Sequence, residues 1–183
     1  MVTQSERLAV IIMHNMRGLI RGILGNVSII DHLDARLITL LTEQPQIGVL
    51  GASRELGVAR GTVQARLDRL IERGVISSLA PTVSAAALGY PVMAFCNLQI
   101  QQRKGRQAVV DHLRGIPEVL EVHTITGGGD LLARVVGCDN ADLQRVIDQI
   151  VETGLVVHAS TTIALAELIA LRTLPLVRAS GLD

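Results

Sequence analysis

Residues 92–165 break into six short segments whose hydrophobic period switches between that of a strand and that of a helix. This order constrains the fold more than any other feature of the chain. From Val92 to Gln101 the apolar residues Val92, Ala94, Cys96, Leu98 and Ile100 alternate, as in a strand with one buried face. Met93 and Phe95 fall on the other face, so part of this strand is expected to be covered on both sides. Residues 105–115 carry a helix with Val109, Leu113 and Ile116 inward, stopped by Pro117. Strands follow at Val119–Thr126 and Leu131–Cys138, joined by the turn Gly127-Gly128-Gly129-Asp130. Asn140–Glu152 is a helix with the stripe Leu143, Val146, Ile147, Ile150 and Val151, capped by Asp139 or Asn140. Val156–Leu165 is the last strand. A strand-helix-strand-strand-helix-strand order predicts a ferredoxin-like plait, with two helices on one face of a four-stranded sheet. The bare face, read as rich in Leu, Val and Met, is the kind of surface that becomes an oligomer interface.

Upstream the period is helical throughout. Leu33, Leu37, Leu40 and Leu41 repeat on one stripe with Ile38 alongside, Asp34 lies in the first turn, and Pro45 stops the helix. A second helix covers about 49–56 and ends at Gly57. It starts at Gly48-Val49 with no side chain to cap it. A third runs from Arg60 to Arg73 with Val63, Leu67, Leu70 and Ile71 inward, and Gly74 ends it. Three short helices, the last two joined by a glycine-containing turn, make a helix-turn-helix. Val75–Leu79 reads as a short strand that adds a wing, broken by Pro81. The expected class is therefore α+β. Its parts are an N-terminal extension (1–30), a winged helix-turn-helix domain (31–81), a hinge (82–91), a ferredoxin-like domain (92–170) and a C-terminal tail (171–183).

The extension has its own helical stripe, Leu8, Ile12, Met16, Leu19, Ile20 and Ile23, weakened by Gly18, Gly22 and Gly25. Three readings stand: a helix that docks on a partner subunit, a loosely held extension, or an upstream start codon that is not the natural one. Arg17 and Arg21 interrupt it, so it is not a membrane span, and its apolar run is short for a signal peptide. A cytoplasmic protein is expected.

Charge is balanced, with 17 basic and 17 acidic side chains, which argues against nonspecific coating of nucleic acid or lipid. The balance is uneven along the chain. Residues 1–81 carry a small basic excess and residues 82–183 a small acidic one. Tyr90 and Phe95 are the only aromatics, too few for a reader of single strands that stacks bases on rings. Cys96 and Cys138 cannot close a zinc site and read as two buried free thiols. The glycine run leads into a strand and lacks the Lys-Ser/Thr of a phosphate loop. No cofactor or metal is expected.

The third helix carries the chemistry. Its exposed Arg60, Thr62, Gln64, Arg66 and Arg69, with Arg54 on the second helix, can reach base edges or phosphates from a major groove. Arg forks onto guanine and Gln onto adenine. Asp68 and Glu72 on the same helix oppose that and favour an ordinary solvated face.

Residues 33–176 resemble the Lrp/AsnC (feast/famine) family of transcription regulators. The stretches that carry the resemblance are L-D-A-R-L-I-T-L-L (33–41), E-L-G-V (55–58), T-V-Q-A-R-L-D-R-L (62–70), E-R-G-V-I (72–76), A-L-G-Y-P-V-M-A-F (87–95), T-G-G-G-D-L-L-A-R-V-V (126–136), T-T-I-A-L (161–165) and R-T-L-P-L (172–176). The resemblance implies a DNA-binding regulator, not an enzyme, that assembles from dimers up to octamers. It also implies an amino acid or related effector, bound between subunits near Gly127, Gly128, Gly129 and Asp130. It places Arg66 and Arg69 at basic positions of the recognition helix, and Thr62 and Gln64 at positions facing DNA. Ala59 stands where the family usually has a capping Ser, which costs about 1 kcal/mol. The turn lacks the family's aromatic residue and one of its acids, so Asp130 either binds an effector amine or caps the turn. His123 and His158 could touch an effector or be structural. Two other readings share the layout: a metabolite-sensing oligomer without DNA binding, and an enzyme like the haem-precursor decarboxylases.

Overall fold

The computed structural model of the chain describes residues 30–101 and 106–181. The stripe of residues 1–29 and the helix start at Gly105 lie outside the described residues. In chain order the elements are α1 (His32–Glu43), α2 (Gly48–Leu56), α3 (Arg60–Glu72), β1 (Val92–Ile100), α4 (Arg106–Arg114), β2 (Val119–Thr124), β3 (Leu131–Gly137), α5 (Asn140–Glu152), β4 (Val156–Ala164) and α6 (Leu174–Ser180). They form two compact units, one from residues up to Leu79 and again from Leu171, the other from Ala80–Ala170.

The helical unit begins at Asp31, whose extended backbone and carboxylate cap α1. Asp31 accepts the Asp34 N–H at 2.8 Å and Asp34 returns the bond, a reciprocal cap that satisfies two orphan donors. Gly57 ends α2 at φ 69°, a left-handed turn that a side chain would strain. Neither α2 nor α3 has a side-chain cap, as Ile47 and Ala59 dictate. The stripes converge as their spacing requires. Leu37, Ala52, Val63 and Leu70 are fully enclosed, joined by Ile30 ahead of α1. Each buried Leu contributes about 1.5–3 kcal/mol.

Two expectations are corrected here. Val75–Leu79 forms no strand, so there is no wing among the described residues. Gly74, at φ 68°, turns the chain back, and the N–H groups of Val75 and Ile76 both donate to the Leu70 carbonyl, at 2.9 and 3.1 Å. Val75 and Ile76 then pack on the helical core instead of pairing as a strand. The apolar run seals a helix end. Second, the described part of the tail is no separate segment. α6 packs on α1 through Val177, Arg178 pairs with Glu43 at 2.7 Å, and Gly181 sits against Ala35.

The second unit is a four-stranded antiparallel sheet of order β2-β3-β1-β4, the ferredoxin-like arrangement. α4 and α5 cover one face. Ala94, Cys96, Leu98, Val109, Leu113, Val135, Val146 and Ile150 fill the space between. Asp139 caps α5 by accepting from Asp142 N–H at 2.8 Å. The other face is more polar than expected. In register across it lie Phe95 with Arg134 and Thr162, Asn97 with Leu132 and Ser160, and Gln99 with His158. Cys96 is buried, its thiol pushed up by burial and 3.4 Å from the Thr161 hydroxyl, but Cys138 is exposed, contrary to the sequence reading. Cys138 follows the last strand residue, where the chain turns outward into α5.

Candidate nucleic-acid interface and effector turn

α3 has an inner face of Val63, Leu67 and Leu70, which fixes where its other side chains point. At 100° per residue the ridge opposite that face is Gly61, Ala65, Asp68 and Glu72. Its N-terminal half is therefore narrow. A Cβ on Gly61 would meet nothing within 4 Å. Arg60 and Gln64 flank the ridge on one side, Thr62, Arg66 and Arg69 on the other.

The six residues expected to meet DNA divide into two sets. Arg54, on the last turn of α2, and Arg60 and Thr62, on the first turn of α3, are exposed, and among the described residues neither arginine has a side-chain partner. Gln64 is exposed, and its amide donates to Asp68 Oδ1 at 2.8 Å. Arg73, expected on the solvent side at the end of the helix, is a further exposed and unpaired guanidinium just past α3.

Arg66 and Arg69 behave otherwise, and the roles assigned to them change. Arg66 Nη1 donates to Asp31 Oδ1 at 2.7 Å and Asp34 Oδ1 at 2.8 Å. Arg69 Nη2 donates to Asp34 Oδ2 at 2.8 Å and Oδ1 at 3.0 Å. Asp34 is 1% exposed. A carboxylate so enclosed needs cationic donors, and α3 supplies two. Arg66 holds the Asp31 carboxyl below the ordinary range, and Asp31 in turn raises Arg66. The charge on these arginines is directed at the start of α1. Sequence reading missed both acids as partners, because the contact joins residues more than 30 positions apart. Only the one-turn spacing of each pair, Asp31 with Asp34 and Arg66 with Arg69, hinted at it.

The glycine turn lies at the end of β1. Gly127 has φ 114°, open to glycine alone. A Cβ on Gly129 would fall 1.6 Å from Asn97 Oδ1, so a side chain there would displace the Asn97 amide. Gln99 Nε2 donates to the Gly128 carbonyl at 2.9 Å. Asp130 accepts the Ile100 N–H at 2.9 Å, and its own N–H donates to the Leu98 carbonyl at 2.9 Å. Asp130 therefore caps the turn through one carboxylate oxygen. Asn97 and Gln99 join this neighbourhood, unforeseen because they were read only as strand positions. His123 pairs with Glu121, whose carboxyl it lowers, and Glu121 also meets Arg134 at 2.9 Å. Among the described residues no group of acids, histidines and cysteines is placed to hold a metal.

A helix-turn-helix unit joined to a ferredoxin-like unit with a glycine turn defines a class of two-part transcription regulators. Residues 30–71 match the AsnC-type helix-turn-helix domain, and residues 93–174 match the Lrp/AsnC ligand binding domain. An uncharacterised HTH-type transcriptional regulator of Pyrococcus abyssi is 34% identical over 118 residues, covering 64% of this chain and 74% of the relative. The solved structure of E. coli AsnC superposes with a TM-score of 0.73 at 24% identity, covering 80% of this chain and 99% of that one. The feast or famine regulatory protein of M. tuberculosis, solved in complex with L-methionine, superposes with a TM-score of 0.70 at 22% identity, covering 78% and 97%. The chain belongs to the Lrp/AsnC family of transcriptional regulators. Among the described residues no helix is long and apolar enough to cross a membrane.

Proposed function

We propose that the chain reads double-stranded operator DNA with the N-terminal half of α3. The narrow ridge at Gly61 and Ala65 enters the major groove, Arg60, Thr62 and Gln64 face base edges, and Arg54 meets phosphate. Arg66 and Arg69 set the pose of α3 from behind, through Asp31 and Asp34. The observation that carries this reading is the sorting of the arginines. Arg54 and Arg60, on either side of the α2–α3 turn, are free, and Arg66 and Arg69 are bound to α1.

The protein works as a dimer or a higher assembly, up to an octamer, in the cytoplasm. An amino acid or related metabolite binds near Gly127, Gly128, Gly129 and Asp130. This is supported by the L-methionine complex of a relative of the same fold and by the free second oxygen of Asp130. Binding there changes operator affinity by about 1–3 kcal/mol, the usual size of such coupling. The chemistry is recognition, not catalysis.

A genomic footprint of the tagged protein, repeated with a panel of amino acids, tests the reading. Discrete sites whose occupancy shifts with one amino acid are expected. Uniform weak coverage, or no coverage, overturns the DNA assignment. Unshifted sites across the panel overturn the effector assignment.

A further inference from the structure

Asp68 is a side chain that a DNA-facing helix has little reason to carry, since phosphates repel a carboxylate. It is exposed on the ridge of α3 opposite the buried face, with Gly61 and Ala65 ahead of it and Glu72 behind. Arg60, Arg66, Arg69 and Arg73 lie on or beside the same helix, yet among the described residues Asp68 forms no ion pair. Arg66 and Arg69 are taken by Asp31 and Asp34, and Arg60 and Arg73 are unpaired. Asp68 Oδ1 accepts from Gln64 Nε2 at 2.8 Å, and Oδ2 has no partner among the described residues. The charge is left unneutralised in the middle of a basic helix.

A carboxylate accepts hydrogen bonds and donates none. Gln64 therefore turns its NH2 group to Asp68, and the bond holds the carboxylate beside a residue that faces base edges in the reading above. An aspartate side chain is short and reaches a base edge only from a low ridge. Gly61 has no side chain and Ala65 only a methyl, so the surface ahead of Asp68 is low. The base-edge donors of the major groove are the exocyclic amines, N4 of cytosine and N6 of adenine. Guanine N7 and O6 and thymine O4 are acceptors. Against an acceptor, a carboxylate stripped of water faces lone pairs, so the wrong base is penalised as well as unrewarded.

We propose that Asp68 is a specificity-determining residue for operator DNA. Its free Oδ2 accepts from the exocyclic amine of a cytosine or adenine, and its charge excludes guanine or thymine at the same place. The inference rests on the reading that α3 enters the major groove. The same carboxylate lowers affinity for DNA in general, so it sharpens the difference between operator and other sequences.

The test selects sites from a randomised duplex pool with the full chain, with Asp68→Asn, with Asp68→Ala and with Arg60→Ala. Each chain is then titrated with its selected site and with an unrelated duplex. The unaltered chain is expected to favour cytosine or adenine at one position of the motif by about tenfold over guanine or thymine. Both Asp68 variants should lose that preference, keep the other positions and bind the unrelated duplex severalfold more tightly. Asp68→Asn keeps an acceptor for Gln64 but gains a donor, so it should also admit guanine or thymine there. A motif unchanged in both variants overturns the inference. So does an equal weakening at every position, or weaker binding to the unrelated duplex. Arg60→Ala separates this inference from the reading beneath it. If that variant weakens binding while the Asp68 variants select the original motif, α3 reads DNA without Asp68. If the unaltered chain selects no motif, the reading of α3 falls and the inference with it.

Discussion

Arg66 of α3 donates to Asp34 of α1 at 2.8 Å, and Asp34 has almost no access to water. The pair ties the recognition helix to the first helix by charge as well as by apolar packing. Arg69 doubles the tie from one turn farther along. The angle of α3 against α1 is therefore set partly by two carboxylates at the start of another helix.

Asp34→Asn should destabilise the helical unit by about 1.5–3 kcal/mol, the range for hydrogen bonds to charged groups. The lower part of the range is expected, because Arg69 is 45% exposed and solvent screens it. Urea unfolding followed by circular dichroism measures this. An unchanged midpoint would show that the pairs contribute nothing to stability.

Arg54→Ala and Arg60→Ala should leave stability alone and weaken operator binding. If each side chain contacts a phosphate, the salt slope falls by about one per substitution. Arg66→Ala should instead lower the unfolding midpoint together with affinity. Equal midpoints for all three variants would return Arg66 to the DNA-contacting set.

Gln64→Ala should relax preference at one base pair by about 1–3 kcal/mol. Competition binding against operators mutated one position at a time reads this out. An equal loss at every position would mean that Gln64, held by Asp68, shapes the helix and does not read a base.

Acid should loosen the helical unit through Asp31. Its carboxyl is lowered by the Arg66 hydrogen bond, so its contribution is complete above the unfolded value of about 3.9 and disappears as pH falls through the depressed folded value. Melting temperatures between about pH 5 and pH 2 should fall less steeply in Asp31→Asn than in the unaltered chain. Parallel curves would remove Asp31 from the acid response.

Gly129→Ala should force Asn97 out of its present position, since the new Cβ would lie 1.6 Å from its Oδ1. Amino-acid response should be lost while the fold survives, and Asn97→Ala should restore space for the turn. A response unchanged in Gly129→Ala would separate the turn from effector binding.

The sequence exposes the elements whose periods are clean. The alternation of β1, the stripe of α5 and the stop at Gly57 all appear where their residues place them, because each rests on local burial or a local backbone need. Two kinds of feature were hidden. Val75–Leu79 has strand-like composition, but a strand needs a partner, and the Leu70 carbonyl took its backbone donors first. Arg66 and Arg69 look like free basic residues until the start of α1 is set beside them. α6 was missed because seven residues with a proline at the front leave too little periodicity to notice. The glycine turn was visible, but the reach of Asn97 and Gln99 toward it was not, since it depends on where β1 ends.

The return of the chain at α6 changes what counts as one piece of this protein. The sheet unit is an insertion, entered after Leu79 and left before Leu171, so the DNA-reading head is discontinuous in sequence. A fragment stopped at residue 79 would lack the helix that covers α1. An autonomous head would have to splice residues from 171 onward directly behind 79, and a protease nick in the stretch 165–171 would leave both halves joined through residues 80–91.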